Sequence, residues 1–157
     1  MKAAILTVSD STARGEREDQ SGPHIAARLR DGGWEVVETA VVPDDPDAIA
    51  AFLERAADRL AVDVVLTTGG TGFSPRDLTP EATARVLDRL APGIPEALRA
   101  TGMQKTPRAC LSRGIAGLRG ATLIVNLPGS LKAVREGMDF LLQILPHAVE
   151  MKAGGGH

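Results

Sequence analysis

Thr67-Thr68-Gly69-Gly70-Thr71-Gly72-Phe73-Ser74-Pro75-Arg76-Asp77-Leu78-Thr79-Pro80-Glu81-Ala82 is the stretch that decides the fold of this chain. It follows Val62 to Leu66, an apolar run that reads as a buried strand, and it ends in Thr79-Pro80, a cap followed by a proline suited to the first helical position. A strand that hands over to a helix in this way is the repeating unit of a parallel α/β sheet. The glycines and hydroxyl residues at the handover expose backbone N–H groups and keep side chains small, which lets a loop wrap a phosphate. A side chain at Gly70 would intrude on that phosphate. Arg76 and Asp77 follow at once, placing an anion partner and a carboxylate in the same loop.

The same alternation runs outward in both directions. Ala3 to Val8 reads as a buried strand closed by Ser9-Asp10, and a polar loop continues to Gln20. Ser21 is an expected N-cap for a helix through Arg30, with Pro23 in its first turn and Gly32-Gly33 at its end. Val36 to Val42 reads as the second strand, Asp45-Pro46 as cap and first helical residue, and the helix continues to about Leu60 with Ile49, Phe52, Leu53, Ala56, Ala57 and Leu60 on one face. The third strand is Val62 to Thr67. A helix from Thr79 to about Leu90 and a short one from Pro92 to Ala100 follow. Ala109 to Leu118 is ambiguous, with room for a short strand. Ala121 to Leu127 is the last strong strand, ended by Asn126-Leu127-Pro128-Gly129, and Ser130 caps a helix through roughly Leu145, where Pro146 is expected to disturb it. The expected fold is a three-layer α/β/α sandwich with a mostly parallel central sheet, forming one domain over residues 1–152 with a flexible tail at 153–157.

Composition narrows the function. The chain has 157 residues, enough for a full core, and a formal net charge of -2, which gives no general pull toward nucleic acid or an anionic membrane. Aromatic residues are scarce, against a stacking platform for single-stranded nucleic acid. No run approaches the roughly 18 apolar residues of a membrane span. No signal peptide precedes the first strand, and the single cysteine, Cys110, has no partner for an internal disulfide, so a cytoplasmic location is expected.

Ligands of open parallel sheets bind at the carboxyl ends of the strands. Those ends carry Ser9-Asp10, Pro43-Asp44-Asp45, the glycine loop and Asn126 to Ser130. Each alone is ordinary turn chemistry; their convergence on one edge points to a site. Asp44 and Asp77 are expected just beyond neighbouring strands, where two carboxylates could hold Mg2+ against phosphate oxygens. The alternatives are cap competition between Asp44 and Asp45, and an ion pair with Arg76 or a local turn for Asp77. Neither Gly-x-x-x-x-Gly-Lys-[Ser/Thr] nor Gly-x-Gly-x-x-Gly occurs, which argues against a P-loop and a dinucleotide fingerprint. His24, His147, His157 and Cys110 lack zinc-ligand spacing, and Ser9, Ser74 and Ser112 lack a triad cue.

Thr-x-Gly-Gly-Thr-Gly at 67–72, Arg76-Asp77-x-Thr79-Pro80-Glu81-Ala82 and Asn126-x-Pro128-Gly129 together strongly resemble the MogA/MoaB family of molybdopterin adenylyltransferases, which includes the G domain of gephyrin. Thr7-Val8-Ser9-Asp10, Asp19-x-Ser21-Gly22-Pro23, Val42-Pro43-Asp44, Leu111-Ser112-Arg113, Gly117 to Gly120 and Leu145 to Ala148 are similar to further segments of that family, so the resemblance covers about residues 3 to 150. It implies a role in molybdenum cofactor biosynthesis: Mg2+-dependent transfer of AMP from ATP to the terminal phosphate of molybdopterin, with release of pyrophosphate. By carry-over Asp44 and Asp77 would be the catalytic, metal-binding carboxylates. Ser9, Asp10, Thr68, Gly69, Gly70, Thr71, Gly72, Arg76, Ser112, Arg113, Asn126, Pro128, Gly129 and Ser130 would form the substrate pocket, with Arg76, Arg113 and Lys132 as candidate phosphate partners. The resemblance also implies a homo-oligomer, a trimer in most members and a hexamer in some, and a molybdenum-insertion protein as a partner. The rival readings are a non-catalytic molybdopterin-binding paralogue or oligomeric scaffold, a fused-domain insertion protein, and a different nucleotide-binding α/β protein, against which the density of matched motifs argues. Retention of both aspartates argues against the first, and chain length against the second.

Overall fold

A computed structural model describes residues 1–155. Six strands form one sheet in the order β2-β1-β3-β6-β5-β4: β1 (Lys2–Val8), β2 (Glu35–Val42), β3 (Val64–Thr68), β4 (Arg89–Leu90), β5 (Ala116–Arg119) and β6 (Thr122–Leu127). The first four in that order are parallel, while β5 and β4 extend the sheet antiparallel. The helices are α1 (Asp10–Ala13), α2 (Ser21–Asp31), α3 (Pro46–Asp58), α4 (Thr79–Val86), α5 (Gly93–Met103) and α6 (Leu131–Lys152), with a 3-10 turn at Pro107–Leu111. This is the α/β fold with a mostly parallel sheet that the sequence leads one to expect.

The period of two along each central strand divides the core. Ala3, Ile5, Val64, Leu66, Leu123, Val125 and Leu127 face α2 and α6, where Ile25, Leu29, Val134, Met138, Leu141 and Leu145 cover them. Ala4, Leu6, Val8, Val65 and Ile124 face the other way, onto Ile49, Phe52 and Leu53 of α3 and Ala82 and Val86 of α4. Both sheet faces are therefore buried, which explains the nearly uninterrupted apolar runs.

Several boundaries differ from expectation. The first polar loop opens with the short α1, whose start Ser9 caps by accepting from the Thr12 amide at 3.3 Å. Ser21 and Thr79 are not caps: both lie inside their helices, and their hydroxyls reach across to the site loops. Asp45 and Ser130 do cap α3 and α6. α4 stops at Val86, and Arg89–Leu90 pairs with β5 as an edge strand. The ambiguous Ala109 to Leu118 segment divides into the end of the 3-10 turn and β5, which turns back into β6 through Gly120 at φ 53°. Pro146 does not end the last helix. Leu145 before it is fully buried and Ala148 and Val149 after it pack on the same core, so the apolar stripe carries the helix through a residue that removes one backbone bond. Residues 153–155 close α6 with backbone hydrogen bonds to Glu150 and Met151, while the rest of the expected tail, 156–157, lies outside the described residues.

Candidate functional site

The chain leaves β1 toward β2 on one side and returns through α3 to β3 on the other. The strand order thus reverses between β1 and β3, and the loops beyond their carboxyl ends border the crevice in which open α/β sheets bind ligands. Asp44 and Asp77 do not follow neighbouring strands, as the sequence suggested: β1 lies between β2 and β3. The loop after β3 bridges the gap by folding back over β1. Gly69 (φ 96°) and Gly70 (φ 67°) turn it in the left-handed region that glycine alone enters without strain. Thr79 fastens the turn, its hydroxyl donating to Gly69 O at 2.9 Å and its amide to Gly70 O at 3.1 Å. The obstacle to a side chain at Gly70 is consequently the protein itself. A Cβ there would collide with the Thr79 hydroxyl and stand 3.3 Å from Asp44 Oδ1.

Among the described residues the amides of Gly70, Thr71, Gly72 and Phe73 donate to no protein acceptor, nor do those of Gly129 and Ser130. Two runs of free N–H groups therefore flank one crevice, the second at the start of the long helix α6, where the backbone dipole adds positive potential. Two cavities open on it. One, of about 470 Å3, is walled largely by apolar groups of Pro95, Leu98, Ala109 and Leu111, with Arg99, Arg108 and Ser112 also in its lining; Arg99 donates to Ser112 O and Gly114 O. The other, of about 420 Å3, is polar, lined by Thr7, Ser9, Asp19, Ser21, Asp44 and Thr68 with Arg17. Gly70, Asp77, Gly129 and Ser130 belong to both, so the two lobes share one wall.

Three carboxylates meet beside that wall. Asp10 and Asp44 exchange amide-to-carboxylate hydrogen bonds. Arg76 grips Asp10 with two bonds of 2.7 and 2.9 Å, which holds the Asp10 carboxyl below the usual range; the Asp44 backbone bond adds to this. Burial raises the Asp44 carboxyl; the Asp10 amide opposes that, and the charges of Asp10 and Asp77 reinforce it. Asp77 accepts the Ser74 amide on Oδ2 at 2.9 Å. Oδ1 of Asp44 and Oδ1 of Asp77 accept nothing among the described residues. Two hard oxygen donors with spare lone pairs in a like-charged cluster suit Mg2+, which is commonly held by one or two carboxylates and completed by substrate phosphates. No group of three or more His, Cys, Asp or Glu side chains among the described residues is arranged to hold a metal unaided.

Most of the residues singled out from sequence converge here. Ser9, Asp44, Thr68, Gly69, Gly70, Thr71, Gly72, Asp77, Ser112, Asn126, Pro128, Gly129 and Ser130 line one lobe or the other. Asp10, Arg76, Arg113 and Lys132 line neither. Arg76 is committed to Asp10 rather than to Asp77. Arg113 is turned to the glycine loop's backbone and to Glu81. Asn126 borders the apolar lobe, but its side chain is a buried hub: the amide donates to Thr67 and Thr83 hydroxyls, both at 3.0 Å, and its oxygen accepts the Ile115 amide at 3.2 Å. Sequence reasoning missed Arg17, Arg99, Arg108 and Gln20 as lining residues. Arg99 and Arg108 come from α5 and the 3-10 turn, outside every strand end, and carry no local signal. Asp19 enters from the sequence only through similarity, and Ser21 through similarity and as an expected cap: Asp19 accepts from Thr7 Oγ1 and the Gly22 amide, and Ser21 donates to Gly129 O.

The chain resembles known proteins over nearly its whole length. Residues 4–147 match the family described as probable molybdopterin binding domain. The chain is 38% identical to molybdopterin adenylyltransferase of Helicobacter pylori over 152 residues, covering 96% of this chain and 86% of that protein. It is 41% identical to the molybdenum cofactor synthesis protein cinnamon of Drosophila melanogaster, covering 94% of this chain but only 25% of that longer protein. A solved structure of the molybdopterin biosynthesis enzyme MoaB from Thermus thermophilus superposes with a TM-score of 0.92 at 50% identity, over 99% of this chain and 98% of that one.

Proposed function

This chain belongs to the family of molybdopterin-binding domains, and from that premise we propose that it acts in molybdenum cofactor biosynthesis as a molybdopterin adenylyltransferase. The reaction is transfer of AMP from ATP to the terminal phosphate of molybdopterin, giving adenylated molybdopterin and pyrophosphate. The observation that carries the reading is the shared wall. Two lobes of unlike chemistry meet on Gly70, Asp77, Gly129 and Ser130, which is what two substrates joined through their phosphates require.

The nucleophile is a phosphate oxygen, already ionised at neutral pH, so no general base is needed. The barrier lies in bringing anions together in line, and fixed electrostatics are the appropriate means. The free amides of Gly70 to Phe73 and of Gly129 and Ser130 receive phosphate oxygens without reorganising, because Thr79 and the α6 cap have already set the backbone. Asp44 and Asp77 would hold Mg2+, which when bound neutralises charge on the pyrophosphate leaving group. Asp10 does not share that duty: it holds the Asp44 loop while Arg76 compensates its charge. Arg99 and Arg108 line the apolar lobe, where their charge would favour an anionic ligand.

The wider setting follows the same reading. Residues 1–152 act as one domain, in the cytoplasm, as a homo-oligomer of trimeric or hexameric form, handing product to a molybdenum-insertion protein. No helix among the described residues is long and apolar enough to cross a membrane. The test is incubation of the purified chain with molybdopterin, ATP and Mg2+, following adenylated pterin and pyrophosphate. Mg2+-dependent product is expected; tight pterin binding without product would make the chain a carrier or scaffold instead.

A further inference from the structure

Arg113 makes more bonds to the glycine loop than any pocket-lining residue does. Its amide donates to Thr71 O at 2.9 Å, its Nε to Gly72 O at 2.8 Å, and one terminal nitrogen to Asp77 O at 2.5 Å. The other terminal nitrogen pairs with the Glu81 carboxylate on α4. One side chain thus spans the loop from Gly72 to Asp77 and anchors it to a helix. A trans peptide carries its N–H on the side opposite its C=O. Carbonyls of Thr71 and Gly72 held on Arg113 therefore direct the N–H groups of Gly72 and Phe73 away from it, and those are two of the amides left without an acceptor. The guanidinium itself lines neither lobe.

We propose that Arg113 is a positioning residue for the transfer reaction: its guanidinium, gripping Gly72 O and Asp77 O on the outer edge of the loop, aims the Phe73 amide and holds the backbone that carries Asp77, while its own amide fixes Thr71 O and so the Gly72 amide, all without touching substrate. The proposal rests on the adenylyl-transfer reading. Arginine alone suits the role. Its planar fork serves Gly72 O, Asp77 O and Glu81 at fixed angles, whereas lysine supplies a point charge that can satisfy only part of that set.

The test compares the wild-type chain with Arg113→Ala, Arg113→Lys and Glu81→Gln in steady-state transfer, with hydrogen–deuterium exchange of residues 70–78 measured on the same preparations. Loss of kcat by ~10- to 100-fold in Arg113→Ala is expected, the cost of a misplaced reacting group, with KM for ATP and molybdopterin nearly unchanged and faster exchange in the loop. Arg113→Lys should recover little, and Glu81→Gln should lose less, since it keeps both carbonyl bonds. If Arg113→Ala does not fold, Arg113→Lys and Glu81→Gln carry the same comparison. A raised KM at constant kcat would make Arg113 a substrate contact and overturn the proposal. So would unchanged kcat, or unchanged loop exchange. A wild-type chain that binds pterin but makes no product would refute adenylyl transfer and the positioning role with it, and loop exchange in Arg113→Ala would still report whether the grip exists.

Discussion

The amides of Asp10 and Asp44 each donate to the other's carboxylate, at 2.9 and 3.0 Å, so the loop after β1 and the loop after β2 are tied by a reciprocal pair of backbone-to-side-chain bonds. The tie consumes Oδ2 of Asp44 and leaves Oδ1 facing the glycine loop. It also forces two carboxylates close together, with Asp77 near enough to add to the repulsion that raises the Asp44 carboxyl.

Replacing that carboxylate should therefore separate stability from activity. Asp44→Asn keeps an oxygen for the Asp10 amide and removes a charge from the cluster. Its melting temperature without ligand is expected to rise by a few degrees at neutral pH, while Mg2+-dependent transfer falls by ~100-fold or more. Asp77→Asn should lose transfer to a similar degree with the fold intact. Thermal melts and turnover on the same samples check both, and full activity in either variant would remove it from the metal site.

Gly70→Val should fail for a reason internal to the protein. The valine must adopt φ near 67° and press on Thr79 and Asp44. A loss of ~1–3 kcal/mol in stability is expected, together with loss of ATP binding, because the strain falls on the turn that presents the free amides. Denaturant unfolding and nucleotide titration measure the two effects.

The buried Asn126 side chain ties β6 to Thr67, Thr83 and Ile115. Asn126→Leu would leave the Thr67 and Thr83 hydroxyls and the Ile115 amide without their partner in a buried place. A destabilisation of ~2–4 kcal/mol follows from the unmade bonds, seen as a lower urea midpoint. A variant that unfolds normally but binds pterin poorly would return Asn126 to the substrate pocket.

His24 sets a pH dependence. Among the described residues its Nε2, buried between α2 and α6, has no partner, and burial, then Arg135 and Arg28, lower its pKa in the folded chain; Asp139 opposes them. The unfolded chain therefore binds the proton more readily. Stability should rise with pH from the folded value up to about 6.5, the unfolded value, and level off above it. In His24→Gln the melting temperature should lose this rise below about pH 6.5, a change of a few degrees at most.

The fold was legible because its central strands are apolar on both faces and each is followed by turn chemistry and a helix signal. Asp45-Pro46 and Ser130 announce their helices correctly. What misled was chemistry with two uses. Ser21 and Thr79 have the composition of caps, yet their hydroxyls bind carbonyls of other loops. Likewise the sequence offers Arg113 and Arg76 as phosphate partners without announcing that one bonds the glycine loop and the other Asp10. No local pattern tells a side chain which of two acceptors the tertiary fold will bring nearer. Pro146 shows the same limit from the other side, since its cost is local and the packing that outweighs it is not.

Asp63, at the foot of β3, receives the Lys2 amide on its carboxylate at 2.8 Å and Lys152 Nζ on its carbonyl at 2.8 Å. The first strand and the last helix thus start and finish at one address. The glycine loop stands a full strand away, roughly 17–20 Å. A domain wired in this way is a plug-in: polypeptide joined at either end emerges from the floor, and the working rim stays clear. A domain of this kind can be joined into a much longer chain with its rim unobstructed, and the segment of cinnamon that this chain matches is 25% of that protein.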